Sequence, residues 1–320
     1  MTMLLSVRDL SVRFGQVEPL SGISFDLDRG EILGLVGESG SGKSLTAMAV
    51  AGLLPLVSGR IAQGSVTFDG TDLTRLAEPE LRAYRGRRIA LVTQNPMTAL
   101  DPAQRIGEQI DVVARLHLGQ SRQGARATTI DLLTSLRIPE AAAISDAYPH
   151  QLSGGMKQRI VIAMALAGEP DLIIADEPTT ALDVTVQAQI IHLLGQLVRE
   201  RGLGLMLITH DMGVVAQVCD RVAVLYAGRL AETREAAPLF AEPRHPYTAA
   251  LIGCIPREGM APGSLAGIPG AVPSAAAYSA GCRFHARCAR MQERCRTEVP
   301  LPALRPEGGA LACHHPLGAP

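Results

Sequence analysis

The chain has 320 residues, of which 47% are hydrophobic and 19% are charged. A hydrophobic fraction of this size supports a folded core and excludes intrinsic disorder as the default state. Thirty Lys and Arg residues stand against 31 Asp and Glu residues, which leaves a formal net charge of −1. This balance gives no electrostatic reason to expect nucleic acid as the main ligand. The length predicts one large domain with a smaller appendage.

The start of the chain and its apolar stretches bear on where the protein works. Residues 1–14 combine charges with alternating polarity where a signal peptide needs an unbroken apolar run, so we expect no export. Apolar stretches such as residues 160–168 and 203–208 fall short of the roughly 20 residues that span a bilayer. We therefore expect any membrane association to come through partner subunits.

The first elements alternate between strand and helix patterns. Residues 4–30 carry short alternating runs punctuated by glycine, which predicts antiparallel strands. Residues 32–36 form a continuous apolar run, and a helical pattern follows over residues 43–54. This order predicts a buried strand that leads through a short loop into a helix.

Later runs extend the same architecture. Short buried runs recur at residues 89–93, 172–175, 205–209 and 222–226, with helical periodicity between several of them. They predict an α/β fold with a parallel sheet. Residues 106–149 read as helical without a strand, which predicts an inserted helical subdomain. Residues 255–281 are rich in Pro, Gly, Ala and Ser and predict a linker or irregular structure.

Residues 37–44, GESGSGKS, match the pattern of a phosphate-binding loop. The glycines let backbone N–H groups curl around phosphate oxygens, and the N-terminus of the following helix favours an anion. Lys43 is predicted to reach the terminal phosphates and Ser44 to bind magnesium. The alternative is a Gly-Ser turn that matches by chance. The predicted nucleotide contacts are Gly37, Glu38, Ser39, Gly40, Ser41, Gly42, Lys43 and Ser44.

Residues 172–177, LIIADE, place two acids at the end of an apolar run. Asp176 is predicted to hold magnesium through water, and Glu177 is predicted to polarise the attacking water. A solvated turn at the end of a strand is the alternative. The phosphate-loop pattern upstream favours the catalytic interpretation.

Residues 151–159, QLSGGMKQR, carry the most discriminating motif. Ser153, Gly154 and Gly155 precede a predicted helix over about residues 156–167, a helix N-terminus suited to phosphate. A serine N-cap with a tight glycine turn would explain the same residues. The LSGG element resembles the signature loop of ABC ATPases, in which one subunit's signature loop completes the ATP site of the other. The resemblance therefore implies a dimer of ATPase subunits.

Further elements resemble those of ABC ATPases and follow in the same order. Gln94, in VTQNP, resembles the glutamine loop that touches magnesium and senses the transmembrane subunits; a polar strand end is the alternative. Residues 181–183, ALD, resemble the loop that crosses to the opposing subunit, with Asp183 as its acid.

Two more residues complete the resemblance to the nucleotide site. His210, in LITHD, resembles the switch histidine that contacts the terminal phosphate and orients the water with Glu177. Standing alone, it would be read as a capping or core histidine. Phe14 falls where the family places an aromatic ring that stacks on adenine, although tyrosine is usual there and a strand-face phenylalanine is the alternative.

Features of the second half resemble one branch of the ABC ATPases. Met156 replaces the glutamine usual in the signature loop, HPYTAALI begins at His245, and cysteines lie in the tail. These features resemble the dipeptide, oligopeptide and nickel permease group. The resemblance implies an α/β phosphate-loop NTPase core of the ABC ATPase type at residues 4–242. Its parts would be an antiparallel β subdomain, a helical subdomain at about residues 95–165, and a small irregular metal-binding extension at residues 243–320.

The same resemblance implies a function. The chain would be the ATP-hydrolysing subunit of an importer that uses ATP and Mg²⁺ to power uptake of dipeptides or oligopeptides, at the cytoplasmic face of the inner membrane. The implied partners are a second ABC ATPase in a hetero-dimer, two transmembrane permease subunits and an external solute-binding protein. Nickel or another small solute is the alternative cargo. A soluble ABC ATPase without membrane partners is disfavoured, because the motifs do not repeat and no heptads lie between Ser44 and Ser153.

The tail carries Cys282, Cys288, Cys295 and Cys313. In a cytosolic chain, such a cluster favours a metal over disulfides. The intervening stretches of five, six and seventeen residues match neither zinc ribbons nor common ferredoxin spacings, so spacing alone names no metal. The resemblance to peptide permease ATPases implies that the four cysteines bind a 4Fe-4S cluster, with Zn²⁺ as the alternative.

Overall fold

A computed structural model describes residues 2–179, 182–256, 267–305 and 308–318. The strands in this part of the chain are β1 (Met3–Phe14), β2 (Val17–Asp28), β3 (Ile32–Val36), β4 (Arg60–Phe68), β5 (Thr71–Asp72), β6 (Ile89–Val92), β7 (Leu172–Asp176), β8 (Gly204–Thr209), β9 (Arg221–Tyr226), β10 (Arg229–Glu235), β11 (Ala303–Leu304) and β12 (Ala310–Leu311).

The α-helices of the described residues lie between and after these strands. They are α1 (Lys43–Val50), α2 (Glu78–Tyr84), α3 (Pro96–Ala99), α4 (Ile106–Leu118), α5 (Arg122–Ser135), α6 (Ala141–Ser145), α7 (Gly154–Leu166), α8 (Val184–Arg201), α9 (Met212–Val218), α10 (Ala236–Ala241), α11 (Pro246–Gly253) and α12 (Arg294–Thr297). Short 3-10 turns lie at Leu54–Val57, Leu73–Arg75, Pro149–Gln151, Ala275–Ala277 and His285–Arg287. None of the helices in the described ranges is both long and apolar enough to cross a bilayer.

The chain divides into two compact units. Unit 1 comprises Met1–Asp28, Ile32–Arg75 and Ile208–Pro320, and unit 2 comprises Arg29–Glu31 and Leu76–Leu207. Unit 1 therefore contains both the start of the chain and the whole cysteine-bearing tail.

Unit 1 contains an antiparallel sheet with the strand order β2, β1, β4, β5. Strand β1 pairs with β2 from Met3 opposite Asp28 to Phe14 opposite Val17, and irregularities interrupt the register. Most of its apolar side chains, among them Leu5 and Leu10, are fully buried. The alternating run at residues 4–30 thus forms the antiparallel strands that its pattern predicts.

Unit 1 also contains strands in the order β11, β12, β10, β9, β3. Strand β3 runs parallel to β9, whereas β10 pairs antiparallel with both β9 and β12. All five residues of β3 are buried, as expected of a strand covered on both faces. The prediction of a parallel sheet is therefore right for β3 and β9 and incomplete at the β10 edge.

The C-terminal extension packs as part of unit 1. Strand β12 pairs with β10 through Thr233 opposite Ala310 and Glu232 opposite Leu311. Helix α11 places Tyr247 in a fully buried position, where its ring contacts those of Tyr226 and Phe284 at centroid distances of 4.6 and 5.2 Å. The extension is therefore more than an irregular tail, because it contributes sheet edge and aromatic core.

Unit 2 holds β6, β7 and the first four residues of β8, in the strand order β8, β7, β6. Strand β6 runs parallel to β7 from Ile89 opposite Leu172 to Val92 opposite Ala175. Residues 93–171, all of which the structure describes, form helices and turns without a strand. Helix α7 buries Ile160 and Ile162 completely. This arrangement is consistent with the predicted helical subdomain.

Candidate functional site

The loop after β3 has a backbone that requires glycine. Gly37 has a φ of +149° and Gly42 a φ of +103°, values that side chains rarely allow. A Cβ atom at Gly37 would collide with the carbonyl oxygen of Leu225, and one at Gly42 would collide with the side chain of Leu20. The glycines of the GESGSGKS pattern are thus fixed by local geometry, as a loop that closes tightly before a helix demands.

Lys43 is the first residue of α1 and lies 5% exposed beneath this loop. Its ammonium group donates to the carbonyl oxygens of Gly37 at 2.8 Å and Glu38 at 3.0 Å. The loop therefore holds a positive charge at the N-terminal end of a helix, a setting that favours an anionic group. Ser44 follows in the first turn of α1, and the carbonyl of Ser41 accepts a hydrogen bond from the N–H of Gly228 at 2.8 Å.

Phe14 and His210 also belong to unit 1. Phe14 ends β1 and is half-buried, with its ring so close to Gly59 that a Cβ there would stand 2.7 Å from Cζ. His210 is exposed directly after β8. Asp211 caps α9 by accepting from the N–H groups of Gly213 and Val214. The structure thus leaves the Phe14 ring and the His210 side chain partly accessible.

In unit 2, the two predicted acidic residues lie at the end of β7. Asp176 is the last residue of the strand, and Glu177 follows with a left-handed backbone φ of +46°. The amide Nε2 of Gln94 donates to Oε2 of Glu177 at 3.1 Å. The glutamine that follows β6 and the proposed catalytic acid that follows β7 are therefore brought together, because parallel neighbouring strands end at the same sheet edge.

The predicted signature loop lies in unit 2 at the start of α7. Ser153 is the N-cap of this helix, and its hydroxyl accepts from the N–H of Met156 at 3.3 Å. Gly155 lies against Val186, since a Cβ at Gly155 would stand 2.7 Å from Val186 Cγ1. Asp183 caps α8 by accepting from the N–H of Val186 at 2.9 Å. The signature glycines and Asp183 thus share one neighbourhood, while Ala181 of the predicted ALD loop lies outside the described residues.

Four cysteines of the extension, Cys282, Cys288, Cys295 and Cys313, line one small cavity. The N–H of Cys282 donates to the carbonyl of Cys295 at 2.8 Å. Burial raises the pKa of the Cys313 thiol to about 11, and the nearness of the other three thiols adds to the shift. Among the residues that the structure describes, no group of three or more His, Cys, Asp or Glu side chains has the arrangement of a metal site. The predicted metal therefore stays a prediction.

Two residues against the phosphate loop had no assigned role in the sequence predictions. Tyr247 accepts a hydrogen bond at its hydroxyl from the N–H of Glu38 at 2.9 Å. Arg287 binds the carboxylate of Glu38. The HPYT motif marked the first of these only as a feature of one branch of the family, and no sequence pattern marked Arg287.

Comparisons with known proteins place this arrangement in a family. The profile of the ABC transporter family matches residues 20–180, and the profile described as oligopeptide/dipeptide transporter, C-terminal region, matches residues 231–295. The chain is 44% identical over 317 residues to the dipeptide transport ATP-binding protein DppD of Bacillus subtilis (strain 168). The alignment covers 98% of this chain and 95% of DppD. It is 46% identical over 318 residues to the oligopeptide transport ATP-binding protein OppD of Salmonella typhimurium. That alignment covers 98% of this chain and 94% of OppD.

A solved structure supports the fold. The dimeric post-hydrolysis state of the ATP-binding cassette MJ0796 bound to ADP and Pi matches with a TM-score of 0.64 and 27% identity, over 73% of this chain and 99% of that chain. The fold is the α/β cassette of ABC ATPases. The chain belongs to the ATP-binding subunits of ABC transporters. Within them it belongs to the dipeptide and oligopeptide branch, which the C-terminal region also marks.

Proposed function

We propose that this chain hydrolyses ATP to power the uptake of dipeptides or oligopeptides, as a peripheral subunit at the cytoplasmic face of the inner membrane. The observation that carries the proposal is the position of Lys43, whose ammonium group is held by two carbonyls of a glycine-rich loop at a helix N-terminus. A terminal phosphate of ATP is the anion that this charge suits. The cargo follows from the relatives, which are dipeptide and oligopeptide transport proteins.

Each site residue has a proposed role in this reaction. Lys43 neutralises the terminal phosphates and Ser44 binds Mg²⁺, to which Asp176 contributes through water. Glu177 polarises the attacking water, and its hydrogen bond to Gln94 supports its orientation. His210 contacts the terminal phosphate, and its exposure after β8 leaves the ring accessible for that role. Phe14 stacks on adenine with its half-buried ring.

The chain is proposed to work in a dimer of ATPase subunits with two permease subunits and an external solute-binding protein. Ser153, Gly154, Gly155 and Asp183 would then act on the nucleotide of the opposing subunit, a hetero-dimer partner in this proposal. Support comes from the dimeric state of the solved cassette MJ0796, and from the side-by-side position of the signature glycines and the Asp183 cap.

The function is tested by assembling the chain with its co-encoded subunits in liposomes. We expect ATP hydrolysis that a dipeptide or oligopeptide with its binding protein stimulates, and uptake of the labelled peptide. Lys43→Ala is expected to weaken ATP binding about 100-fold and to abolish uptake, because it removes the charge that neutralises the phosphates. Uptake of Ni²⁺ in place of peptides would support the alternative cargo, and normal ATP binding by Lys43→Ala would contradict the assigned site.

We propose further that Cys282, Cys288, Cys295 and Cys313 bind a 4Fe-4S cluster. The support is that all four thiols line one cavity, and that thiolate ligands are what such clusters require. A bound cluster would cross-link the segments of the extension that carry these four cysteines, which points to a structural contribution.

The cluster is tested by anaerobic purification of the full chain. The proposal expects broad visible absorption near about 400 nm and about four irons per chain. Replacing any one of the four cysteines with serine should remove both signals, whereas Cys254→Ser, outside the cavity, serves as the matched control. Stoichiometric zinc without iron would contradict the cluster and favour the zinc alternative.

A further inference from the structure

Arg287 of the C-terminal extension forms a two-point ion pair with the phosphate loop. Its Nη1 and Nη2 atoms lie 2.7 and 2.9 Å from Oε2 and Oε1 of Glu38, a residue 249 positions away in the sequence. The Arg287 side chain is only 5% exposed and that of Glu38 is 29% exposed. A nearly buried, bidentate pair of this kind is geometrically specific, unlike a surface ion pair.

The guanidinium group of Arg287 has a partner for each of its N–H donors. Besides Glu38, it donates to the carbonyls of Pro269 at 2.8 Å and Ile268 at 3.0 Å, and to the hydroxyl of Tyr226 at 3.3 Å. A guanidinium carries five such donors, and all are used. The hydrogen bonds to Glu38 raise the pKa of Arg287 above its ordinary value. The side chain is therefore held in one place, and the Glu38 carboxylate is held with it.

Glu38 is tied to its surroundings at three points. Its carboxylate binds Arg287, its N–H donates to the hydroxyl of Tyr247 at 2.9 Å, and its carbonyl accepts from Lys43 at 3.0 Å. The first two partners belong to the extension and the third is the proposed phosphate ligand. A shift of the Glu38 backbone would therefore move a carbonyl that positions the Lys43 ammonium group.

A second arginine of the extension supports the same loop from another side. Arg283 donates to the carbonyl of Ala227, and its Nη2 lies 2.9 Å from the hydroxyl of Ser21. Gly228, next to Ala227, donates its N–H to the carbonyl of Ser41 in the loop at 2.8 Å. Arg283 thus lies beside the Ala227–Gly228 segment that bonds to Ser41, whereas Arg287 contacts the loop directly at Glu38.

We propose that Arg287 is a positioning residue for ATP binding, which acts through Glu38 to hold the phosphate loop and Lys43 in the shape that accepts phosphate. Arg287 does not touch the nucleotide in this proposal. The inference rests on the proposed role of the loop and deepens it, because it makes the nucleotide affinity of the ATPase core depend on the C-terminal extension.

The test measures nucleotide affinity and turnover separately in the full chain assembled with its partner subunits. Arg287→Ala is expected to raise the Kd for a fluorescent ATP analogue and the KM for ATP about 5- to 20-fold, with kcat at saturating ATP within about twofold. Arg287→Lys keeps the charge without the planar fork, so it should restore part of the affinity. Arg294→Ala is the matched control, because it removes the exposed ion pair between Arg294 and Glu298 of the same extension. It should change neither the Kd for the analogue nor the KM for ATP.

Glu38→Gln tests the same contact from the other side and leaves the extension intact. We expect the same rise in Kd, and the double variant with Arg287→Ala should be no weaker than either single variant, because both remove one interaction. A folded Arg287→Ala or Glu38→Gln chain, judged by its melting temperature, with wild-type Kd would overturn the proposal. A lower kcat with unchanged KM would overturn it as well.

A Lys43→Ala arm separates this inference from the function on which it rests. Loss of ATP binding in Lys43→Ala with normal binding in Arg287→Ala would refute the positioning role alone. Wild-type binding in Lys43→Ala would refute the assigned phosphate loop and the positioning role with it.

Discussion

At the residue scale, Glu177 combines an unusual backbone with a fixed side chain. A left-handed φ of +46° on a glutamate costs on the order of 1–3 kcal/mol, which the surrounding fold must offset. The Gln94 amide then holds one carboxylate oxygen at 3.1 Å. Strained residues of this kind concentrate at functional sites, and the position after β7 is where the sequence motif places the catalytic acid.

Glu177→Gln is expected to keep ATP binding while slowing hydrolysis about 100- to 10,000-fold, because an amide preserves the shape but cannot accept the proton of the attacking water. Single-turnover hydrolysis and ATP affinity are the measurements. Glu169→Gln is a matched control, since Glu169 is also a left-handed glutamate of unit 2, with a φ of +52°, and lies exposed outside the site. If Glu177→Gln lost ATP affinity as severely as Lys43→Ala, Glu177 would have a structural role in place of a catalytic one.

At the element scale, the packing of α7 against α8 depends on Gly155, a glycine of the predicted signature loop. A Cβ at Gly155 would stand 2.7 Å from Val186 Cγ1, closer than real side chains approach. The same glycine belongs to the loop proposed to contact the nucleotide of the opposing subunit. Packing and function therefore coincide at this position, and a pair of substitutions is needed to separate them.

Gly155→Ala is expected to destabilise the chain by about 1–3 kcal/mol through overpacking, and to lower ATPase activity. Adding Val186→Ala makes room for the new methyl group, so the melting temperature should recover while the activity should stay low. Unfolding curves and turnover in the assembled transporter provide the two readings. Full recovery of activity in the double variant would mean that Gly155 serves packing alone.

An ion-pair cluster stands at the start of β7. Asp171 accepts from Nη1 of Arg29 at 2.8 Å and from Arg88. Burial acts to raise the pKa of Asp171, but the hydrogen bonds from the two arginines outweigh it and hold the pKa below its ordinary value. A carboxylate with a lowered pKa stabilises the fold above the pKa of the unfolded chain, about 4, and this contribution is lost as the pH falls through the folded value.

Asp171→Asn is therefore expected to cost about 1 kcal/mol in the free energy of unfolding at pH 7, a value discounted for the partial exposure of the arginines. The difference from the wild type should shrink as the pH falls below about 4. Urea unfolding at several pH values measures it. Asp146→Asn is the control, because Asp146 also pairs with two arginines but is 61% exposed, and a larger cost there than at Asp171 would contradict the role of burial.

Features of the fold and of the candidate site could be predicted from the sequence where neighbouring residues determine them. Strands β3 and β7 could be predicted because each contains a continuous apolar run that glycine or acidic residues bound. Strand β4 could not, since most of its residues are polar or exposed. The phosphate loop and the signature loop could be predicted because each motif lies within a few consecutive residues. The contact of Arg287 with Glu38 joins residues 249 apart, so no local pattern could reveal it.

At the scale of the whole molecule, the chain carries a predicted phosphate loop and a predicted signature loop, and we propose that the two loops serve different nucleotides. Ser153 caps α7 and is itself exposed, as are Gly154 and Asp183. Exposed polar groups and a helix N-terminus are suited to meet a phosphate that another subunit presents. The isolated chain would then contain one half of each of two nucleotide sites.

The isolated chain is accordingly expected to hydrolyse ATP slowly, with turnover that rises with protein concentration or on adding the co-encoded ATPase subunit. Two altered partners sharpen the test. A partner with its phosphate-loop lysine replaced but its signature loop intact should still activate this chain, because it completes the site that contains Lys43. A partner with a disrupted signature loop should not activate it. Full turnover by a monomer, shown by light scattering and independent of concentration, would contradict the shared site, because Ser153 and Gly155 would then have no second nucleotide on which to act.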